Sequence, residues 1–114
     1  MNRNDIYIIH GTDYKEMTIH LLTEAGLAQE IRDRSRHIAL KPNLLGTILP
    51  DTGATTHTEL VCGTIEYLQS HGFRHITIME GAWVGDSTQR AYKALGYPAI
   101  SEKYGVPLVD LQKD

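Results

Sequence analysis

Apolar and polar positions along this chain switch between two rhythms, and the switches mark its elements. Ile6-Tyr7-Ile8-Ile9 is a continuous apolar run rich in β-branched residues, the pattern of a strand covered on both faces. It ends at His10-Gly11. Tyr14, Met17, Leu21, Ala25 and Ala28 then recur at spacings of three and four behind Asp13, which predicts a capped α-helix. Gly26 interrupts that stripe, and Leu27 and Ile31 form their own i, i+4 pair. We therefore read a break at Gly26 and a short second helix over Leu27 to Asp33.

Arg32, Arg34 and Arg36 alternate with Asp33 and Ser35, the composition of a solvated connection. A second strand is expected over His37 to Leu40. It runs into the corner Lys41-Pro42-Asn43 and then a long loop rich in Gly, Pro and Thr. Strand-to-helix loops usually take about two to six residues, so one of about a dozen is a place to look for function. Thr56 with Glu59 three residues on is a capping-box pattern, followed by the helical stripe Leu60, Val61, Ile65 and Leu68, with Gly72 as its stop. Cys62 lies one step off that stripe and reads as a small buried hydrophobe.

His75 to Met79 predicts a third strand, ending at Glu80-Gly81. A loop over Ala82 to Gly85 carries Trp83, and Asp86 or Ser87 can cap a helix that packs Ala91, Ala94 and Leu95 inward. Gly96 closes it, Pro98 suits the first turn of a short helix over Ala99 to Tyr104, and Val106 to Leu111 reads as a last strand. The alternation predicts an α/β fold: a three-layer α/β/α sandwich, Rossmann-like, with a mostly parallel sheet of about four strands. In such sheets ligands sit beyond the carboxyl ends of the strands, at a switch point in strand order. His10, Lys41-Pro42-Asn43, Glu80-Gly81 and Asp110 are expected to share that edge.

Composition narrows the setting. With 114 residues, 41% hydrophobic and 22% charged, the chain suits one globular domain spanning 1–114. Eleven Lys and Arg against fourteen Asp and Glu give a net charge of -3 without a basic block, which argues against nucleic acid as a partner. There is no apolar run of about twenty residues and no signal-peptide pattern, so no membrane role is expected. The one cysteine, Cys62, cannot form an internal disulfide, and a cytoplasmic setting is the expectation.

The chemistry concentrates in a few residues. Lys41, closing a buried strand, can hold a phosphate or carboxylate as a point charge or act as a base; it can equally be paired with Glu80 or Asp110. Asn43 can orient a ligand or pin its own loop. Gly53, Thr55 and Thr56 enter a helix start, where backbone N–H groups favour an anion, although Thr56 alone reads as a cap. Neither a phosphate-binding P-loop nor a dinucleotide fingerprint is present. Glu80 is the candidate acid or base, and His10, His57 and Glu80 could meet as three metal ligands from separate loops.

Lys41-Pro42-Asn43-Leu44, Gly53-Ala54-Thr55-Thr56-His57, Glu80-Gly81, Tyr104-Gly105-Val106 and Val109-Asp110-Leu111, taken together in this order, resemble the N-terminal half of the domain of unknown function 362 family. The resemblance covers nearly the whole chain. It implies a fold and a site without a reaction, and relatives that often carry an iron-sulfur segment of the ferredoxin type. With only Cys62, this chain cannot supply four thiolates to such a cluster. The resemblance also implies that the domain continues beyond residue 114, so the chain reads as a fragment or shortened form whose uncovered sheet edge invites a homo-oligomer. The expected function is binding of a small anionic molecule at the carboxyl edge of the sheet, as part of an enzyme whose cofactor stays open. Two alternatives stand beside it: a non-catalytic scaffold that docks a redox or iron-sulfur module, with the Trp83 loop as contact surface, and a mononuclear metal site.

Overall fold

The computed structural model describes residues 2–44, 55–81 and 87–113. Gly53, the Trp83 loop and Asp86 lie outside the described residues. The chain forms two compact units, Met1–Arg36 with Glu59–His75, and His37–Thr58 with Ile76–Asp114.

Three helices build the first unit. Helix α1, Tyr14–Ala25, starts where the Asp13 carboxylate accepts a hydrogen bond from the Glu16 amide at 3.1 Å. It stops at Gly26, whose φ of 70° turns its N–H back to the Leu22 and Thr23 carbonyls, a left-handed cap that favours glycine. The expected break is therefore real, and α2 occupies Leu27–Ile31. Helix α3, Thr58–Ser70, buries Val61, Ile65, Tyr67 and Leu68, while Cys62 is half-buried. Gly63 lets α3 approach α1 closely, since a Cβ there would sit 2.8 Å from the Lys15 carbonyl oxygen and 2.9 Å from Thr18 Cβ. An ion pair of 3.1 Å between Lys15 and Glu66 spans the same contact. The buried Tyr67 hydroxyl accepts the Ala28 amide at 2.9 Å.

Arg34 corrects the expectation of a merely solvated connection. Its Nε donates to the His71 carbonyl at 2.8 Å, its Nη1 donates to the Ala28 and Arg32 carbonyls, and the guanidinium lies 4.7 Å from the Phe73 ring centroid. One planar cation thus meets the Arg32 and His71 carbonyls just past α2 and α3, where helix geometry leaves carbonyls without intrahelical donors, and shares the Ala28 carbonyl with the Arg32 amide.

The Ile6 to Ile9 run is a second correction. Residues 5–11 have no regular secondary structure, and Ile6 and Ile8 are 85% and 75% exposed. A strand exists only through pairing, and among the described residues the sheet consists of three other strands. Apolar patterning gives a segment the capacity for a strand and no partner. His10 is consequently not carried to a sheet edge by a strand of its own.

The second unit holds the sheet. Strands β1, Ile38–Leu40, β2, Ile76–Glu80, and β3, Leu108–Asp110, are all parallel in the order β1-β2-β3. The α/β class with a parallel sheet is as expected, with three strands among the described residues. The order runs one way across the described strands, so no switch point occurs among them. Helix α4, Thr88–Ala94, is capped by the Ser87 hydroxyl on the Arg90 amide. Helix α5, Tyr97–Tyr104, carries its proline in the first turn between Gly96 and Gly105. Ile76, Ile78, Ala91, Tyr92, Tyr97 and Val106 are buried here. At the amino end of the sheet, His37 Nε2 and Thr77 Oγ1 lie 2.6 Å apart. Among the described residues no helix is long and apolar enough to cross a membrane.

Candidate functional site

Because β1, β2 and β3 run parallel, their last residues share one edge. Lys41 follows β1, Glu80 ends β2, and Asp110 ends β3 as the register partner of Glu80. Past β1 the burial alternates, Lys41 and Asn43 exposed, Pro42 and Leu44 buried, so the two polar residues share the outward side.

Glu80 anchors this edge. Its side chain is 4% exposed, and its Oε1 lies 3.1 Å from the ammonium of Lys41, whose side chain is 64% exposed. The same Oε1 accepts the Gly81 amide at 3.0 Å, and Oε2 accepts the Leu44 amide at 2.9 Å. A buried carboxylate is tolerated only when paired and hydrogen-bonded, and here two amides and a cation do both. The arrangement ties the corner after β1 to the end of β2. It also leaves the Lys41 ammonium, with three donors, presented outward at the edge.

The two ends of the long loop are joined by a reciprocal pair. The Asn43 amide donates to Thr56 Oγ1 at 2.8 Å, and the Thr56 amide donates to the Asn43 carbonyl at 2.7 Å. α3 begins at Thr58, and the Thr56 hydroxyl serves the Asn43 amide ahead of it. Thr55 is 5% exposed, and His57 is half-buried. The structure thus joins Lys41 to Glu80 and Asn43 to Thr56, and brings Asp110 alongside Glu80.

Asp110 is held from several sides. Its Oδ1 accepts the Gln112 amide at 2.9 Å, and Gln89 Nε2 lies 3.4 Å from Oδ2. Desolvation pushes its carboxyl up, yet the Gln112 amide, the Thr88 and Gln89 side chains and the Lys113 charge together outweigh it and hold the group below its ordinary value. Tyr92, buried beside this edge, donates its hydroxyl to the Val109 carbonyl at 2.7 Å. Burial, with the negative charges of Glu80 and Asp110, pushes that phenol up to about 12.

Gln112, Thr88 and Tyr92 were not marked by the sequence pattern. Gln112 accepts the Thr88 amide at 2.9 Å, linking the turn after β3 to the start of α4. The only signal for it is its position two residues after Asp110, the spacing of an Asx turn. Among the described residues no group of three or more His, Cys, Asp or Glu side chains is disposed to hold a metal ion.

The chain matches the family described as Domain of unknown function (DUF362) over residues 38–114, starting at β1 and taking in the whole edge just described. Residues 1–37 lie outside the match, a shorter reach than the motifs implied. No curated protein and no solved structure matches the chain. With well over half of its length matched, and with Lys41, Glu80 and Asp110 inside the matched range, the chain belongs to the domain of unknown function 362 family.

Proposed function

We propose that this chain binds a small anionic ligand, a carboxylate or phosphate, at the carboxyl edge of its sheet, as part of an enzyme working in the cytoplasm. The observation that carries the reading is the Lys41 ammonium, fixed 3.1 Å from a buried carboxylate with its side chain 64% exposed. A lysine held in place by an internal carboxylate has less freedom to lose when a ligand arrives. Glu80 then acts by orienting Lys41 and the corner, in place of the acid or base role expected from its position. Asn43, exposed on the same side as Lys41, is the second ligand contact.

A thermal-shift titration with phosphate, acetate and citrate tests this. A ligand present at about a hundred times its dissociation constant adds roughly 2.7 kcal/mol to stability, and Lys41→Met removes a charged hydrogen bond worth about 1.5–3 kcal/mol. Equal shifts in wild type and Lys41→Met, or none in either, reject the reading.

Exposed Ile6 and Ile8 favour a second reading, a scaffold that docks another copy or a partner module through this segment. Sedimentation that stays monomeric at high concentration, with no change on Ile6→Lys and Ile8→Lys, counts against the self-association form.

A further inference from the structure

We propose a second binding site on this chain, a groove along α4, α5 and β3 that takes a medium-chain monocarboxylate, its apolar tail on the groove floor and its carboxylate on Lys93. The groove lies wholly in the second unit and stands independently of the Lys41 edge.

The floor is the first argument. The groove encloses about 580 Å³, within the range of about 300–1,000 Å³ common for small-molecule pockets. Tyr92, Pro98, Ala99 and Leu108 line it. The Tyr92 hydroxyl is already engaged by the Val109 carbonyl at 2.7 Å, so this residue offers the groove its ring. Tyr97 braces that ring, with the two centroids 5.5 Å apart. Leu108, the first residue of β3, stays half-buried, whereas Ile78 and Val106 are covered. The floor therefore offers carbon, which rewards an apolar tail and gives inorganic phosphate nothing to hold.

Charge selects the head group. Arg90 and Lys93 belong to the lining and no Asp or Glu does, in a chain whose net charge is -3. The cavities along α1 differ, because Glu24 lines both of them. Lys93 is exposed in the last turn of α4. Among the described residues it has no ion-pair partner, unlike Lys15 and Lys41. Arg90, one helical turn earlier, adds positive potential on the same wall. A cation beside an apolar floor fits one carboxylate carrying a tail of about six to ten carbons. An alcohol would leave the cation unused, and a polyanion would leave the floor uncovered.

The test is calorimetric and NMR titration of the full chain with butyrate, hexanoate, octanoate and decanoate below their micelle concentrations, with the matching 1-alcohols as controls. Affinity is expected to rise about two- to fourfold for each methylene that enters the groove. Acids are expected to bind about threefold tighter than alcohols of equal length, and Lys93→Met should erase that difference. Ala99→Trp, at an exposed position, should fill the groove and abolish the dependence on tail length. Melting without ligand checks that both variants stay folded. Amide signals that move on titration should cluster on Tyr92, Lys93, Ala99 and Leu108. The proposal is overturned if decanoate does not bind, if acids and alcohols bind alike, or if tail length has no effect. It is equally overturned if Ala99→Trp binds decanoate as wild type does, or if the moving signals cluster at Lys41 and Gly81 instead.

Discussion

Glu80 shows how one residue can carry several links at once. Glu80→Ala strips the acceptor from the Leu44 and Gly81 amides and frees Lys41, and a lost buried hydrogen bond of this kind costs about 1–3 kcal/mol. Glu80→Gln keeps one acceptor oxygen and is expected to be the milder change in urea denaturation; equal midpoints for both variants and wild type would refute the account. Tyr92 gives a pH signature. Its phenol rises from an ordinary value of about 10 to about 12, so the folded state holds the proton longer than the unfolded chain does. The stability this contributes is complete below pH 10 and is lost as pH climbs through 12. Tyr92→Phe should accordingly remove a step near pH 12 from the tyrosinate absorbance titration. Asp33 and Asp110 act at the other limb. Asp33, held down by its hydrogen bonds from Ser35, and Asp110, held below its ordinary value, contribute stability that is present above the usual Asp range and lost as pH falls through their lowered values.

At the scale of elements, much was legible and some was not. Periodicity places the α-helices of the described residues to within a few residues, and Gly26 reads as a break because a left-handed cap has a residue signature. Close helix approach has none that stands out. Gly63 sits in an ordinary helical stripe, yet a Cβ there would collide with Lys15 and Thr18 of α1. Gly63→Ala, which raises helix propensity, is therefore expected to destabilise by about 1–3 kcal/mol through overpacking; a melting temperature at or above wild type would reject the contact. Arg34 was read as solvated because its neighbours are charged, and only the turn that follows α2 aims it at the carbonyls around α2 and α3. The spacing of Thr56 to Glu59 reads as a cap, and nothing local in the sequence shows that the Thr56 hydroxyl also accepts the Asn43 amide.

Across the whole molecule, the segment over Ile6 to Ile9 separates pattern from pairing. If it is unpaired in solution, Ile6→Lys and Ile8→Lys should shift stability by no more than about 0.5 kcal/mol, as exposed substitutions do; a loss of several times that in thermal melts would mean that the run is buried after all. Hydrophobic periodicity and turn residues, both local properties, were enough to establish the α/β class, the parallel sheet and the carboxyl edge as the place for Lys41, Glu80 and Asp110. The one-way order of the described strands, the Lys41–Glu80 pair and the Asn43–Thr56 bridge depend on which groups meet across long stretches of chain. Those meetings are decided by pairing and by the cost of leaving a buried carboxylate or amide unsatisfied, and tertiary structure alone determines which partners are within reach.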